Sequence, residues 1–196
     1  MHSNKTAKGE QNRERIVVAA ERLFYEHGYS ATSFSHIAEE SGVPRGNFYF
    51  YFRDKRSIFE AVVEQKAAAL GALCASFEAE YDDPRERLCA FVDHLVARRD
   101  EVARFGCPVG TLTGEVGKWR DEHLAIARRL FDVLRPFLRS QFRALGAESR
   151  TADTLAIELL ARTQGINTLA QAYGDPRLVR RQGERVKAWL RTEALR

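Results

Sequence analysis

The sequence lacks the features that would mark an enzyme or a disulfide-stapled protein. It has only 3 cysteines in 196 residues. Cys74, Cys89 and Cys107 are odd in number and have no metal-ligand spacing, which predicts reduced thiols. The motifs GxGxxG, GxSxG, HExxH and CxxC and a Walker phosphate loop do not occur. The sequence therefore predicts no catalytic residue, no cofactor and no metal site.

Long hydrophobic runs are missing as well. The longest nearly unbroken apolar run, residues 67–75, is far shorter than the roughly 20 residues that span a bilayer. Residues 1–10 are polar and have no apolar signal-peptide centre. We therefore expect a cytoplasmic protein.

Charge of one sign is only mildly in excess. The formal net charge is +4, the pI is about 9.1, and acidic and basic residues nearly balance within the first 60 positions. Bulk charge thus argues weakly for a nucleic-acid partner, and the local placement of charges has to decide.

What is present is helical periodicity along almost the whole chain, without an alternating strand pattern. Capping and breaking residues predict helix starts and stops at Gly28, Thr32 or Ser33, Gly42, Asp54, Asp83-Pro84 and Asp175-Pro176. The prediction is an all-α protein. It has a flexible N-terminal arm (residues 1–9), a domain of short helices (10–60) and a larger helical domain (61–196).

An unusual aromatic run, residues 48–52, follows a glycine-proline turn. At 100° per residue, Phe48 and Phe52 share an inner face of a third short helix, whereas Asn47 and Phe50 point outward beside Gly46. Tyr49 and Tyr51 flank that outer face, where their hydroxyls can reach phosphate oxygens.

Two basic residues, Lys55 and Arg56, fall in the first turn of the next helix. The helix dipole disfavours positive charge there, so an anionic partner is expected. Two short helices joined by a glycine turn, the second with polar and aromatic groups outside, indicate a helix-turn-helix that reads DNA. The alternative is an interface or pocket wall beside a solvated basic face.

These same residues carry a family resemblance. The segments GYSATSFSHIA (28–38), GV (42–43) and GNFYFYF (46–52), followed by Lys55 and Phe59, resemble the N-terminal domain of the tetracycline-repressor (TetR) family of bacterial regulators. The resemblance implies a helix-turn-helix domain, a homodimer, and a C-terminal domain whose small ligand moves the two reading helices apart.

By the same resemblance, DNA contacts are expected at Thr32 or Ser33, Arg45, Gly46, Asn47, Tyr49, Phe50, Tyr51 and Lys55. Two positions depart from the family pattern. Pro44 stands where a hydroxyl residue is frequent. Phe50 replaces a usual His or Tyr; it can pack on a thymine methyl but cannot hydrogen-bond a base. The operator sequence therefore stays open.

The last two long helices are predicted to form the dimer interface. Each carries an apolar stripe too large for one thin domain to cover, and Gln164, Gly165 and Asn167 would permit close approach and polar pairing. The alternative is an intrachain core. The residues of the two stripes are Leu155, Leu159, Leu160, Ile166, Ala170, Leu178, Val186, Trp189 and Leu190.

The sequence gives fewer signals of the ligand site. Phe105, Trp119 and Phe131 are candidate pocket walls, with plain core as the alternative. Cys107 precedes a predicted helix start, where free N–H groups would stabilise its thiolate. Its alternative is a small buried hydrophobe. Some members of the resembling family sense electrophiles through cysteine.

The function predicted is a ligand-responsive DNA-binding regulator, a repressor released from its operator by a small molecule, and not an enzyme. Two other classes stay open: a helical enzyme with an aromatic-lined pocket, and an architectural DNA-binding protein without a ligand. The latter would not need the large domain that follows residue 60.

Overall fold

The computed structural model of the chain describes residues 3–116, 121–192 and 194, and within them every regular element is helical. The predicted all-α fold is thus confirmed. The α-helices are α1 (Ser3–His27), α2 (Phe34–Ser41), α3 (Lys55–Glu80), α4 (Pro84–Ala97), α5 (Arg99–Phe105), α6 (Gly110–Val116), α7 (Asp121–Ala144), α8 (Ser149–Tyr173) and α9 (Pro176–Thr192). A 3₁₀ helix, Arg45–Phe50, lies between α2 and α3.

Side-chain caps explain several helix starts. Asp83 Oδ1 accepts a hydrogen bond from the Arg85 amide at 2.8 Å, and Asp175 Oδ1 accepts one from Arg177 at 3.0 Å. Asp54 accepts from the Ser57 amide at 2.8 Å, and this bond lowers the pKa of Asp54. Because each cap satisfies an amide that the first helical turn leaves free, the predicted starts at these residues are confirmed.

Contacts divide the chain into two compact units. The first comprises residues 1–66 and 112–128, and the second comprises residues 67–111 and 129–196. Helix α1 begins at Ser3, inside the predicted arm of residues 1–9. The domain bounds at residues 9 and 60 stay predictions.

The first unit has an aliphatic and aromatic core built by α1, α2, the 3₁₀ helix and the start of α3. Its fully buried side chains fix the short helices against α1. They include Ile16, Phe24, Ile37, Phe48, Ile58 and Phe59.

The second unit has its own core, which contains both stripes that the sequence analysis assigned to a dimer interface. All nine of those residues, from Leu155 to Leu190, are buried within the chain itself. The prediction for these residues was wrong, because α8 packs on both α5 and α9. That packing covers more apolar surface than a stripe of sequence reveals. No described helix is long and apolar enough to span a membrane.

Candidate nucleic-acid interface

The 3₁₀ helix Arg45–Phe50, called the reading segment below, is held by i→i+3 hydrogen bonds. The Asn47 amide donates to the Pro44 carbonyl, and the Tyr51 amide donates to the Phe48 carbonyl, both at 2.8 Å. The sequence pattern predicted an α-helix here. The segment is only six residues long, and so short a piece is commonly tightened to 3₁₀ geometry.

The aromatic run nevertheless divides as the sequence predicted. Phe48 and Phe52 are 0% and 4% exposed and anchor the segment. Tyr49 and Phe50 are 66% and 83% exposed. No atom lies within 4 Å of where a Cβ on Gly46 would stand, so a partner's backbone can approach there. An aromatic surface this open indicates a binding face.

Polar side chains border this face. Asn47 is exposed, and Arg45 is exposed with its guanidinium donating to Ser35 Oγ at 3.3 Å. Ser33 is the N-cap of α2; its hydroxyl accepts from the His36 amide at 3.2 Å. Arg53, which the sequence analysis did not assign, lies just after the segment with its side chain 85% exposed. Its guanidinium pairs with Asp54 at 3.3 Å and stays open to solvent beside the reading segment.

Two of the predicted DNA-contacting residues point into the protein instead. Thr32 is 2% exposed, and its hydroxyl lies 2.8 Å from the Gly28 carbonyl, to which it donates. Lys55 Nζ donates to the carbonyls of Tyr29 and Thr32 at 2.8 and 3.0 Å. The same ammonium lies over the Tyr29 ring, 4.3 Å from its centre. Burial lowers the pKa of Lys55, and nearby Glu115 opposes that shift.

The anionic partner expected for the first turn of α3 comes from the chain itself. Arg56 pairs with Glu122 of α7, so the basic pair Lys55 and Arg56 is engaged by protein groups. An anionic partner for this turn is thus present within the chain, and a further contact of the turn with an external phosphate stays a prediction. Residues 66 positions apart in the sequence supply the ion pair.

Glu115 of α6 and His123 of α7 also hold the turn between α1 and α2, a role that the sequence did not predict. Glu115 accepts hydrogen bonds from the amides of Tyr29 and Ser30, each at 2.8 Å. The Tyr29 hydroxyl lies 3.2 Å from His123 Nε2. Gly28 has φ +88°, and a Cβ there would stand 2.8 Å from Glu115 Oε2. Gly28 was the only local signal of this close approach, and it does not name its partner.

The second unit contains the predicted ligand residues that the structure describes. Phe105 is half-buried beneath the Arg104 guanidinium, and Phe131 packs partly buried against the core. Trp119 lies outside the described residues. Cys107 is half-buried, and Gln164 Nε2 donates to its sulfur at 3.5 Å.

The other two cysteines differ from Cys107 in environment. Cys74 and Cys89 are buried. Burial raises the pKa of Cys74 to about 11 and also raises that of Cys89. Cys107 is therefore the most accessible of the three thiols.

Comparison with known proteins points in one direction. The family model described as "Bacterial regulatory proteins, tetR family" matches residues 16–62, which include the reading segment. An uncharacterized HTH-type transcriptional regulator of Mycobacterium tuberculosis is 31% identical over 83% of this chain and 86% of its own length.

Two further proteins agree. A similar regulator encoded in the lacX 3′ region of Lactococcus lactis is 27% identical over 83% of this chain and 85% of its own. The crystal structure of a TetR transcriptional regulator from Legionella pneumophila superposes with a TM-score of 0.80 at 20% identity. That superposition covers 89% of this chain and 95% of the Legionella chain.

Proposed function

Because this chain belongs to the TetR family of helix-turn-helix transcriptional regulators, we propose that it is a homodimeric repressor. It binds an operator in the cytoplasm and is released by a small-molecule inducer. The observation that carries the DNA-binding half is the reading segment. Its Phe48 anchor is fully buried, while Tyr49 and Phe50 are open to solvent.

The proposed DNA contacts follow from this geometry. Asn47 and Phe50 face the bases, Asn47 through its amide and Phe50 through a thymine methyl. Tyr49, Tyr51, Arg45 and the N-terminus of α2 at Ser33 face phosphates. Gly46 leaves room for close approach. Thr32 and Lys55 contribute indirectly, because their side chains stabilise the turn before α2.

The proposed dimer uses apolar residues that the chain leaves uncovered on α8. Ile157, Leu169 and Tyr173 are 46%, 49% and 73% exposed, and Gly165 between them has open space beside it. Large apolar side chains left exposed on one helix support pairing with a second copy. Two copies would present two reading segments to a two-fold-related operator.

The proposed inducer acts on the second unit. Helices α6 and α7 each have residues in both units, and Glu115, Glu122 and His123 contact the α1–α2 turn or α3. A shift of these helices would disturb the support of the reading segment. Accessible Cys107 supports an electrophile as one class of inducer, because a thiolate is the nucleophile that such compounds alkylate.

A footprinting experiment with the chain's own upstream DNA tests the proposal. We expect protection of two half-sites about one helical turn (~10 bp) apart or a multiple of it. An Asn47→Ala variant should change which bases are preferred, whereas a Tyr49→Phe variant should weaken all sequences alike. Binding that is monomeric and indifferent to sequence would contradict the proposal.

A further inference from the structure

The N-terminal turns of α1 lie along the end of the reading segment. Asn12 Nδ2 donates a hydrogen bond to the Tyr51 hydroxyl oxygen at 3.3 Å. A Cβ on Gly9 would stand 4.0 Å from Tyr51 Cε1, and the Arg13 guanidinium lies 5.2 Å from the centre of the Phe52 ring. Positions three and four apart share one helix face, so this face of α1 braces residues 51 and 52.

The direction of the Asn12 hydrogen bond has a chemical consequence for Tyr51. A phenol has one O–H to donate and lone pairs to accept. Because Asn12 fills an acceptor position, the phenolic proton is not used in this contact. A phosphate oxygen can only accept, so it requires that proton. A hydroxyl that accepts one hydrogen bond is also a better donor in the next.

We propose that Asn12 is a positioning residue for DNA binding: it holds the Tyr51 hydroxyl as a donor to one backbone phosphate of the operator. The inference rests on the proposed function, which places Tyr51 at a phosphate. It assigns a role to α1 residues that lie outside the stretch matched by the family model, residues 16–62.

Tyr49 provides an internal contrast. Its ring lies 6.3 Å from the Phe34 ring, and it is 66% exposed. Within the part of the chain that the structure describes, its hydroxyl has no hydrogen-bond partner. The two tyrosines therefore differ in preorganisation. The Tyr51 hydroxyl is held by a hydrogen bond in the protein without DNA, and the Tyr49 hydroxyl is not.

A double-mutant cycle on the full-length dimer tests the proposal, with operator affinity as the readout. Asn12→Ala should weaken binding about three- to tenfold, the effect of losing or misdirecting one hydrogen bond. In a Tyr51→Phe background, Asn12→Ala should have no further effect. In a Tyr49→Phe background it should keep its full effect. An undiminished effect of Asn12→Ala in Tyr51→Phe, or no effect in the otherwise native protein, would overturn the proposal.

Two controls separate positioning from folding. Alanine favours a helix interior more than asparagine does, so Asn12→Ala should not lower the melting temperature. Gln11→Ala, at the exposed neighbouring position, should leave affinity unchanged. Methylphosphonate replacement of single operator phosphates should reveal one position at which both Asn12→Ala and Tyr51→Phe lose their effect. Different positions for the two variants would count against the inference. If the native protein binds no DNA, the proposed function itself fails.

Discussion

Among single residues, Lys55 has a role that its position in the sequence disguises. Its ammonium donates to two backbone carbonyls of the turn that leads into α2. Lys55→Ala should therefore lower the free energy of unfolding by about 1–3 kcal/mol, since those half-buried acceptors lose their donor. The melting temperature should fall by several degrees. The salt dependence of DNA binding should stay unchanged.

Arg45→Ala is the matched comparison. Its guanidinium is exposed on the reading segment, and losing a phosphate contact should flatten the slope of log K against log salt by about one unit. Its melting temperature should not move. A Lys55→Ala variant that melts normally but loses one unit of slope would restore the phosphate contact that the sequence predicted.

The cysteines give a second prediction at this scale. At pH 7.5 a thiol with the pKa of about 11 given for Cys74 is ionised in fewer than about one molecule in a thousand. Brief alkylation of the native protein should therefore label Cys107 first, as measured by mass spectrometry. Raising the pH towards 11 should accelerate labelling of Cys74, because its thiolate fraction then rises.

The functional half of that experiment uses DNA release. Alkylated protein should leave the operator, and Cys107→Ser should bind DNA but not respond. Equal, slow labelling of all three cysteines would argue against an electrophile and for a reversible ligand.

Residue types and spacing predicted the exposed face of the reading segment, because a buried phenylalanine anchor constrains its neighbours whatever the exact helix type. They could not predict the inward course of Thr32 and Lys55. A lysine in a first helical turn has the same local sequence whether its partner is a phosphate or a carbonyl. For Lys55 the deciding carbonyls belong to residues 23 and 26 positions away. For Thr32 they belong to residues 4 and 9 positions away, across the turn that ends α1.

At the scale of elements, α6 supports the turn between α1 and α2 through Glu115. Glu115→Ala would leave the amides of Tyr29 and Ser30 without their acceptor. We expect a lower melting temperature and weaker operator binding. Gly28→Ala should also lower the melting temperature and weaken operator binding. Its φ of +88° disfavours any side chain, and a Cβ there would stand 2.8 Å from Glu115 Oε2.

The control for this prediction is Glu122→Ala. That carboxylate is 64% exposed in its ion pair with Arg56, and exposed pairs contribute about 0–1 kcal/mol. Glu115→Ala should have a clearly lower melting temperature and weaker operator affinity than Glu122→Ala, as measured by thermal melts and binding isotherms. Equal effects would show that the two amide contacts of Glu115 have no special weight.

Helix boundaries were predictable wherever a cap or breaker sets them locally, as at Gly28, Asp54 and Asp83. Helix α6 was predicted only in part: the helix start expected after Cys107 falls at Gly110, but the residue types alone did not show that the helix runs to Val116. The two glutamines that approach residues 106–110, Gln164 and Gln171, come from α8. The Gln164 oxygen would clash with a Cβ on Gly110, and the Gln171 oxygen would stand 2.6 Å from a Cβ on Gly106. Gly110 therefore permits close packing at the start of α6, and Gly106, with φ +84°, also ends α5.

For the whole molecule, a dimer interface is indicated by the apolar surface that the chain leaves exposed, not by its total apolar content. The leucines that suggested a dimer interface are occupied inside the second unit. The large apolar side chains of α8 that stay exposed are fewer: Ile157, Leu169 and Tyr173. Sequence could not make this distinction, because both sets recur with helical spacing and only packing shows which is covered.

The last prediction uses that distinction. An Ile157→Glu, Leu169→Glu double variant places two charges on the proposed contact surface, where burial without partners is costly. It should be a folded monomer by light scattering and thermal melting. A dimer that binds two half-sites through two linked reading segments gains affinity on the order of a hundredfold or more over a monomer. The operator affinity of the double variant should therefore fall by about that factor. Val18→Glu, at a 51% exposed position of the first unit, should remain dimeric. If the double variant stays dimeric, the dimer interface does not include Ile157 and Leu169. If it is monomeric but binds the operator with native affinity, operator binding does not require the dimer.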